Sequence, residues 1–457
     1  MVMKQGTAPP QLPSTAAGMV SALQYLGIEA RDNRRAQRIE FRFVGSVPKA
    51  AWYANTSLTP AHDGWFESTD AFVARMIERI STSCKTRSQP PKPLRFSTKA
   101  IRQYLLSHCF DRAVDPVAEW LHGLPAWDGQ PRVELLLVAH LGADNNRLNR
   151  FAASGLLVGA VARTMNPGCV HDWIPVLVGR QGIGKSLCGK ALLPRETRHD
   201  WHSDSVDLGD HQQKQVEQIG SALLVEYSEM AGLERTTGNK LKSHISRTKD
   251  RYRRPWHTQS GDVLRHWVGI GTSNPDSGGV IPYDATGHRR YVVVPVSCDC
   301  STPETEPCGG CGKADAMNAY IDGCRDQLWA EAVELYRQGA PHLLPGSMRK
   351  QQSQVAEQHQ QSDDAMADAI AGLDVSDPTH GNQMRDLMVE AGIIRFDAMP
   401  TRAEQLACGN ELRRQGWTKK NQKIGGSLRR VWYPPAGGAT QEQYPGFSPP
   451  EPGWDDA

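Results

Sequence analysis

The stretch "WIPVLVGRQGIGKSLCGKALL" carries a short apolar run from Ile174, breaks into three glycines within six residues, and closes on Gly-Lys-Ser. Few local patterns restrict a fold as strongly. "GRQGIGKS", Gly179 to Ser186, satisfies the full G-x-x-x-x-G-K-S spacing. Gly179, Gly182 and Gly184, with Arg180, Gln181 and Ile183 between them, let the backbone turn tightly, so that its N–H groups point inward at phosphate oxygens. Lys185 then neutralises the β- and γ-phosphates, and the Ser186 hydroxyl ligates Mg²⁺. Such a loop needs a strand before it and a helix after it. "WIPVLVG" and "SLCGKALL" are predicted to supply them. A glycine-rich turn that merely caps a helix is the competing reading.

A phosphate loop that hydrolyses also needs an acidic residue at the end of a second buried strand. In "GSALLVEYSEM" the apolar run Ala222 to Val225 is followed by Glu226 and Glu229. One carboxylate would hold the Mg²⁺ shell and the other would orient and polarise the attacking water. Glu226 is favoured for the metal and Glu229 for the water, with the exchange of roles left open, as is a solvated helix starting at Glu229. A third strand, "HWVGIGTSN", ends in Thr272, Ser273 and Asn274, and Asn274 is the candidate sensor of the γ-phosphate. "TGHRRYVVVPV" places Arg289 and Arg290 just before another strand. An arginine there would complete a neighbouring subunit's site by stabilising transition-state charge. An ordinary surface pair is the alternative.

Across residues 172–297 short apolar strands alternate with helical segments, which predicts an α/β sheet. The whole chain has 457 residues, too many for one core. The expected division is a disordered lead-in over 1–17, an N-terminal α+β region over 18–95 and a helical region over 96–165. The phosphate-loop core follows over 166–297, then a Cys-rich loop with a helical extension over 298–345 and a polar, partly helical linker over 346–383. A winged-helix-like module over 384–434 and a disordered tail over 435–457 complete it. A net charge of +2 argues neither for nor against nucleic acid. With no run of eighteen apolar residues and no signal-like start, a soluble, cytoplasmic protein without a membrane partner is expected.

The order of these motifs has a counterpart. The phosphate loop, "VEYSEM", "SRTKDRYRRPW", "GTSN" and "ATGHRRY", with "EARDNRRAQRIEFR" and "LPAWDGQPR" upstream, resemble the virulence-associated protein E family over roughly Ala30 to Val296. Members are phage- and plasmid-type P-loop ATPases related to superfamily 3 replicative helicases. The resemblance implies an AAA+-like core that forms a homo-oligomeric ring, with a hexamer expected. It further implies ATP hydrolysis with Mg²⁺ and action on single-stranded or forked DNA in mobile-element replication. Two departures stand out. Many superfamily 3 helicases place their two acidic residues side by side, whereas Tyr227 and Ser228 separate them here. Relatives often carry a primase domain, for which the N-terminal part offers no acidic set, so priming is expected from a separate chain. A nucleotide-dependent switch, or an assembly or defence ATPase of the same fold, is the alternative function. A small-molecule kinase would need neither the basic nor the winged-helix features.

Two further clusters bear on partners. "KLKSHISRTKDRYRRPWH" concentrates cations, and Lys249, Arg251, Tyr252, Arg253 and Arg254 are its candidate DNA contacts, with Trp256 as a second stacking ring. In superfamily 3 helicases the corresponding region is a hairpin that points into the ring channel; a subunit interface is the rival reading. "CDCSTPETEPCGGCG" brings Cys298, Cys300, Cys308 and Cys311 within fourteen residues. Two close thiol pairs can converge on one structural Zn²⁺, with free thiols and redox chemistry as alternatives. In the C-terminal module, Lys419, Lys420, Lys423, Arg429 and Arg430 would face phosphate if its hairpin is a DNA-binding wing, and a protein-binding winged domain is the other reading.

Overall fold

The computed structural model describes residues 10–44, 65–67, 70–230, 235–253, 260–274, 280–282, 289–298, 308, 310–359, 364–373, 381–424 and 427–435. Arg254, Trp256 and Cys300, together with residues 1–9 of the lead-in and 436–457 of the tail, lie outside them. The chain divides into two units, Met1–Gln361 and Ser362–Ala457.

The first unit begins earlier than its Pro-, Thr- and Ala-rich sequence suggests. β1 (Gln11–Leu12) pairs in parallel with β5 (Lys85–Thr86), and Thr15 caps α1 (Ala16–Tyr25). The predicted disordered lead-in over 1–17 is therefore corrected at its end, where backbone pairing and a side-chain cap satisfy the polar groups. Alternating apolar residues form the hairpin of β2 (Ile28–Asn33) and β3 (Arg38–Phe43), which β4 (Phe66–Glu67) and β6 (Ala113–Val114) extend to four strands. Against it pack α1, α2 (Asp70–Ser83) and α3 (Thr98–Phe110), burying Met19, Phe41, Phe72, Met76, Ile101 and Leu105 completely.

The turn after β2 carries Arg35 out of this sheet. Its guanidinium is buried and pairs with Asp115 at 2.8 Å, while donating to Thr164 Oγ1 at 2.9 Å and to the His266 carbonyl at 2.8 Å. Asp115 also caps α4 (Pro116–His122) through the Val117 and Ala118 N–H groups. One carboxylate thus opens a helix and neutralises the buried cation.

The central sheet has five parallel strands in the order β13-β7-β12-β9-β8, namely β7 (Ile174–Val178), β8 (His202–Ser203), β9 (Leu224–Tyr227), β12 (Val268–Ser273) and β13 (Tyr291–Pro295). Every residue of β7, β9 and β12 is buried, as expected when helices cover both faces of a parallel sheet. Pro175 is tolerated in central β7 for a local reason. Ile174 N–H bonds toward β13 and Gly179 N–H toward β12, so residue 175 faces β12, whose register with β7 starts only at Val176. On one face lie α5 (Leu136–Leu141), α6 (Arg147–Met165), α7 (Lys185–Ala191), α8 (Arg198–Trp201) and the long α11 (Lys313–Arg337), sharing a core around Trp173 and Trp329. The other face packs on Ile219 of α9 (Gln212–Ile219), Leu241 of α10 (Arg235–Ser246) and Ala356 of α12 (Arg349–Gln358). Gln352 of α12 donates to the Tyr291 carbonyl at 2.6 Å, so this part of the polar run belongs to the core and is not a free linker.

A separate antiparallel ribbon, β10 (Lys249–Tyr252) with β11 (Gly261–Leu264), leaves the sheet between α10 and β12. Its base is fixed by Arg265, fully buried, whose guanidinium holds both Asp250 carboxylate oxygens at 2.7 and 2.9 Å and donates to the His244 carbonyl. Such a bidentate pair fixes angle as well as distance.

The second unit contains α13 (Asp364–Ala371), α14 (Met384–Glu390), α15 (Arg402–Arg414) and the antiparallel hairpin β14 (Thr418–Ile424)–β15 (Ser427–Tyr433). Thr401 and Glu404 form a reciprocal capping box that starts α15. Leu387, Met388, Leu412 and Trp432 make its small core. Among the described residues no helix of the chain is long and apolar enough to cross a membrane.

Candidate nucleotide-binding site

Ligands of open parallel sheets bind beyond the carboxyl ends of the strands. Here those ends deliver the loop after β7, the acidic turn after β9 and the polar end of β12 to one open cleft of about 500 Å³. Gln181, Gly182, Gly184, Lys185 and Ser186 line it on one side, and Ser228, Glu229, Thr272, Ser273 and Asn274 on the other. The loop turns as the glycines require: Gly182 and Gly184 have φ of +88° and +99°, which side chains disfavour. Ile183 points down into the core, anchoring the turn.

Lys185 opens α7 and is buried. Its ammonium donates to the carbonyls of Gly179 and Arg180, the latter at 2.7 Å, and to Asn274 Oδ1 at 3.0 Å. Burial pulls its pKa down to about 8. Asn274 reaches this cation because β12 is inserted between β7 and β9 in the sheet.

Glu226 lies beneath the cleft floor at the end of β9, its side chain almost wholly buried. Burial alone would raise its pKa; the polar groups of His202, Ser186 and Thr272 beside it outweigh that and keep the carboxyl below its usual range. Thr272 Oγ1 donates to Oε1 at 3.1 Å and Ser228 Oγ at 3.3 Å. Oε2 is 3.4 Å from His202 Nε2 and finds no well-aligned donor among the described residues. A buried carboxylate with a spare oxygen, beside the serine of a phosphate loop, is a donor set that fits a hard cation such as Mg²⁺. Glu229 is exposed and adopts φ +52°, a left-handed backbone unusual for glutamate, while the next residue, Met230, ties back to the Thr272 carbonyl at 3.2 Å. The turn thereby carries Glu229 to the cleft wall while Glu226 stays below.

The arginines lie elsewhere. Arg289 pairs with Asp172 at 3.5 Å, and Arg290 donates to Ser246 Oγ at 2.6 Å, both before β13 and so at the opposite end of the sheet from the loop. Neither enters this chain's own cleft. On the ribbon, strict alternation exposes Lys249 and Arg251 and buries Asp250 and Tyr252. The proposed stacking role of Tyr252 is corrected here, because its ring packs inward. Lys249 pairs with Asp262 at 2.5 Å across the ribbon, an acidic neighbour that pairing between distant strands supplies. Arg253 follows Tyr252 and is exposed.

Cys298, Cys308 and Cys311 converge, their sulfurs all within 4.8 Å of one another, a set able to hold a metal ion. On the C-terminal hairpin, pairing puts Lys419, Lys423 and Arg430 on one face and Lys420 and Arg429 on the other. Sequence reasoning missed His202, Ser228 and the Thr272 contact to Glu226. A histidine opening a two-residue strand carries no local signal, and both hydroxyls look like ordinary turn formers.

A parallel α/β sheet with a phosphate loop after its first core strand defines the class. Within it, residues 121–363 match the Virulence-associated protein E-like domain, more than half of the chain, and the chain belongs to that family. The family's phosphate loop implies a bound nucleotide. Among solved structures, the chain is similar to the apo structure of the NrS-1 C terminal region (305-718), at 13% identity over 91% of this chain and 98% of that one, with a TM-score of 0.45. It is also similar to the A form apo structure of the NrS-1 C terminal region, at 11% identity over 93% and 100%, with a TM-score of 0.44. No curated protein sequence matches.

Proposed function

We propose that the chain is an ATP-hydrolysing motor of the AAA+/superfamily 3 type that acts on single-stranded or forked DNA in mobile-element replication. The observation that carries this reading is the convergence of Lys185, Ser186, Glu229 and Asn274 on one cleft, with Glu226 beneath it. The loop alone binds nucleotide, whereas hydrolysis needs a second acid beside the γ-phosphate position.

The division of labour follows from burial. Lys185 exchanges its carbonyl partners for the β- and γ-phosphates, and Asn274, already bonded to that lysine, senses the γ-phosphate. Ser186 and Glu226 would hold the Mg²⁺ shell, where the ion would supply charge neutralisation at the phosphate oxygens. Glu229, facing the cleft, orients the attacking water and takes up its proton. His202, Ser228 and Thr272 position Glu226. Arg289 and Arg290, remote from their own cleft, act in a neighbouring subunit's site within a homo-oligomeric ring. Lys249, Arg251 and Arg253 grip DNA phosphates from the ribbon, and the C-terminal winged module adds a second basic face.

ATP hydrolysis with and without single-stranded DNA, alongside the mass of the assembly in solution, tests the reading. DNA-stimulated turnover by a ring-sized oligomer supports the motor. A monomer whose turnover ignores DNA refutes it and leaves the nucleotide-dependent switch.

A further inference from the structure

Cys298, Cys308 and Cys311 cluster beside the phosphate loop, with Cys308 against it. Cys308 N–H donates to the Gln181 carbonyl at 2.8 Å, and a Cβ at Gly182 would meet Cys308 Cβ at 3.5 Å, ordinary van der Waals contact. On one side, the segment leaving β13 is pinned by Val296 N–H to the Val178 carbonyl at 2.8 Å and Ser297 N–H to the Leu141 carbonyl at 3.1 Å, and it ends in buried Cys298. On the other side, Cys311 immediately precedes Gly312, the cap of α11, whose Ala314 and Met317 come within 3.1 and 3.2 Å of a Cβ built on Gly184. Cys298, Ile183 and Met317 share one core. The thiols therefore sit at the β13 exit, behind the loop and at the α11 entrance.

Their spacing suits a shared cation. Cys298 and Cys308 sulfurs are 3.7 Å apart, and Cys308 and Cys311 sulfurs 3.2 Å. Thiolates about 2.3 Å from a tetrahedral Zn²⁺ stand about 3.8 Å from one another. A disulfide would need about 2.05 Å and would strand the third sulfur.

We propose that Cys298, Cys308 and Cys311 bind a Zn²⁺ that clasps the β13 exit to the α11 entrance behind the phosphate loop, so that metal occupancy sets the loop's affinity for nucleotide. The coupling rests on the nucleotide reading above; the metal site does not. With zinc in place, Cys308 is fixed and holds the Gln181 carbonyl in the turn that presents the loop's N–H groups. Without it, the knuckle is released, and nucleotide must order both knuckle and turn. Linkage makes the effect reciprocal: nucleotide tightens zinc by the factor that zinc tightens nucleotide.

The test uses the full chain. Zinc is counted by elemental mass spectrometry, and binding of a fluorescent ADP analogue is measured at fixed Mg²⁺ before and after zinc is stripped by a chelator that spares Mg²⁺. The expected result is about one zinc per chain, absent from a Cys308→Ser, Cys311→Ser double variant. Stripping should weaken nucleotide binding at least roughly five-fold, and added Zn²⁺ should restore it in the wild type but not in the double variant. A wild-type chain that binds no more zinc than the double variant overturns the site. Zinc binding with a nucleotide Kd that stripping leaves within about two-fold overturns the coupling, because typical couplings exceed that. Zinc binding with no nucleotide bound in either state overturns the nucleotide reading and the coupling with it, while the metal site stands.

Discussion

Raising the pH from 7 to 9 should weaken nucleotide binding roughly ten-fold, and the cause is Lys185. Burial lowers its pKa from 10.5 to about 8. Polyphosphate beside the ammonium favours the charged form and returns the pKa upward, so a neutral lysine must take up a proton when nucleotide binds. With a free-state pKa of about 8, the charged fraction falls from about nine-tenths at pH 7 to about one-half at pH 8 and about one-tenth at pH 9. Kd should rise in proportion, and binding at pH 8 should take up about half a proton. Isothermal titration calorimetry in two buffers of different ionisation enthalpy measures that uptake directly. Lys185→Arg, charged throughout this range, should bind with a flat profile. The stability of the nucleotide-free protein follows the opposite trend. Between about pH 8 and 10.5 the folded chain holds fewer protons at this site than the unfolded chain, so this group's contribution rises with pH across that window. A Kd that is flat from pH 7 to 9, or an equal slope in Lys185→Arg, would refute the reasoning.

Other perturbations reach the remaining parts of the site. Glu229→Gln should keep nucleotide affinity and slow steady-state turnover roughly 10²- to 10⁴-fold, whereas Glu226→Gln should weaken Mg²⁺-dependent binding itself; normal turnover in the first would move the water to Glu226. Replacing Lys249 and Arg251 together with Ala should flatten the slope of log affinity against log salt for single-stranded DNA by at most about 1.4, two contacts at about 0.7 each; an unchanged slope would assign the ribbon to an interface. Arg35→Ala should cost about 3–5 kcal/mol in chemical denaturation, because Asp115 and a buried carbonyl lose their donor. A loss below about 1 kcal/mol would mean that water reaches the Arg35 site.

The nucleotide cleft was legible because each of its parts has a local cause. Glycines at Gly182 and Gly184 announce a turn with positive φ, and the apolar runs before Gly179 and Glu226 announce buried parallel strands. Their lateral order was not legible: that β12 enters between β7 and β9 is settled by packing, not by any one strand's residues. Arginine burial was not legible either. Nothing local marks Arg35, Arg163 and Arg265 as interior residues, yet all three are buried, satisfied by carbonyls and, for two of them, by aspartates remote in sequence or across the ribbon. The ribbon shows the same limit. A run rich in cations gives no sign that period-two alternation will turn Asp250 and Tyr252 inward and set Asp262 beside Lys249.

Arg35 also sets a schedule. Its partners Asp115, Thr164 and the His266 carbonyl lie 80, 129 and 231 residues further along the chain. A ribosome adding roughly 5–20 residues per second needs about 12–46 s to reach the last of them. Throughout that interval the first four-stranded sheet can emerge, but the Arg35 guanidinium lacks its His266 acceptor. The N-terminal region therefore cannot lock as an independent early domain. Its final docking waits on the strand that later supplies Asn274, so newborn chains should pass through a long window in which that docking surface remains open to chaperones.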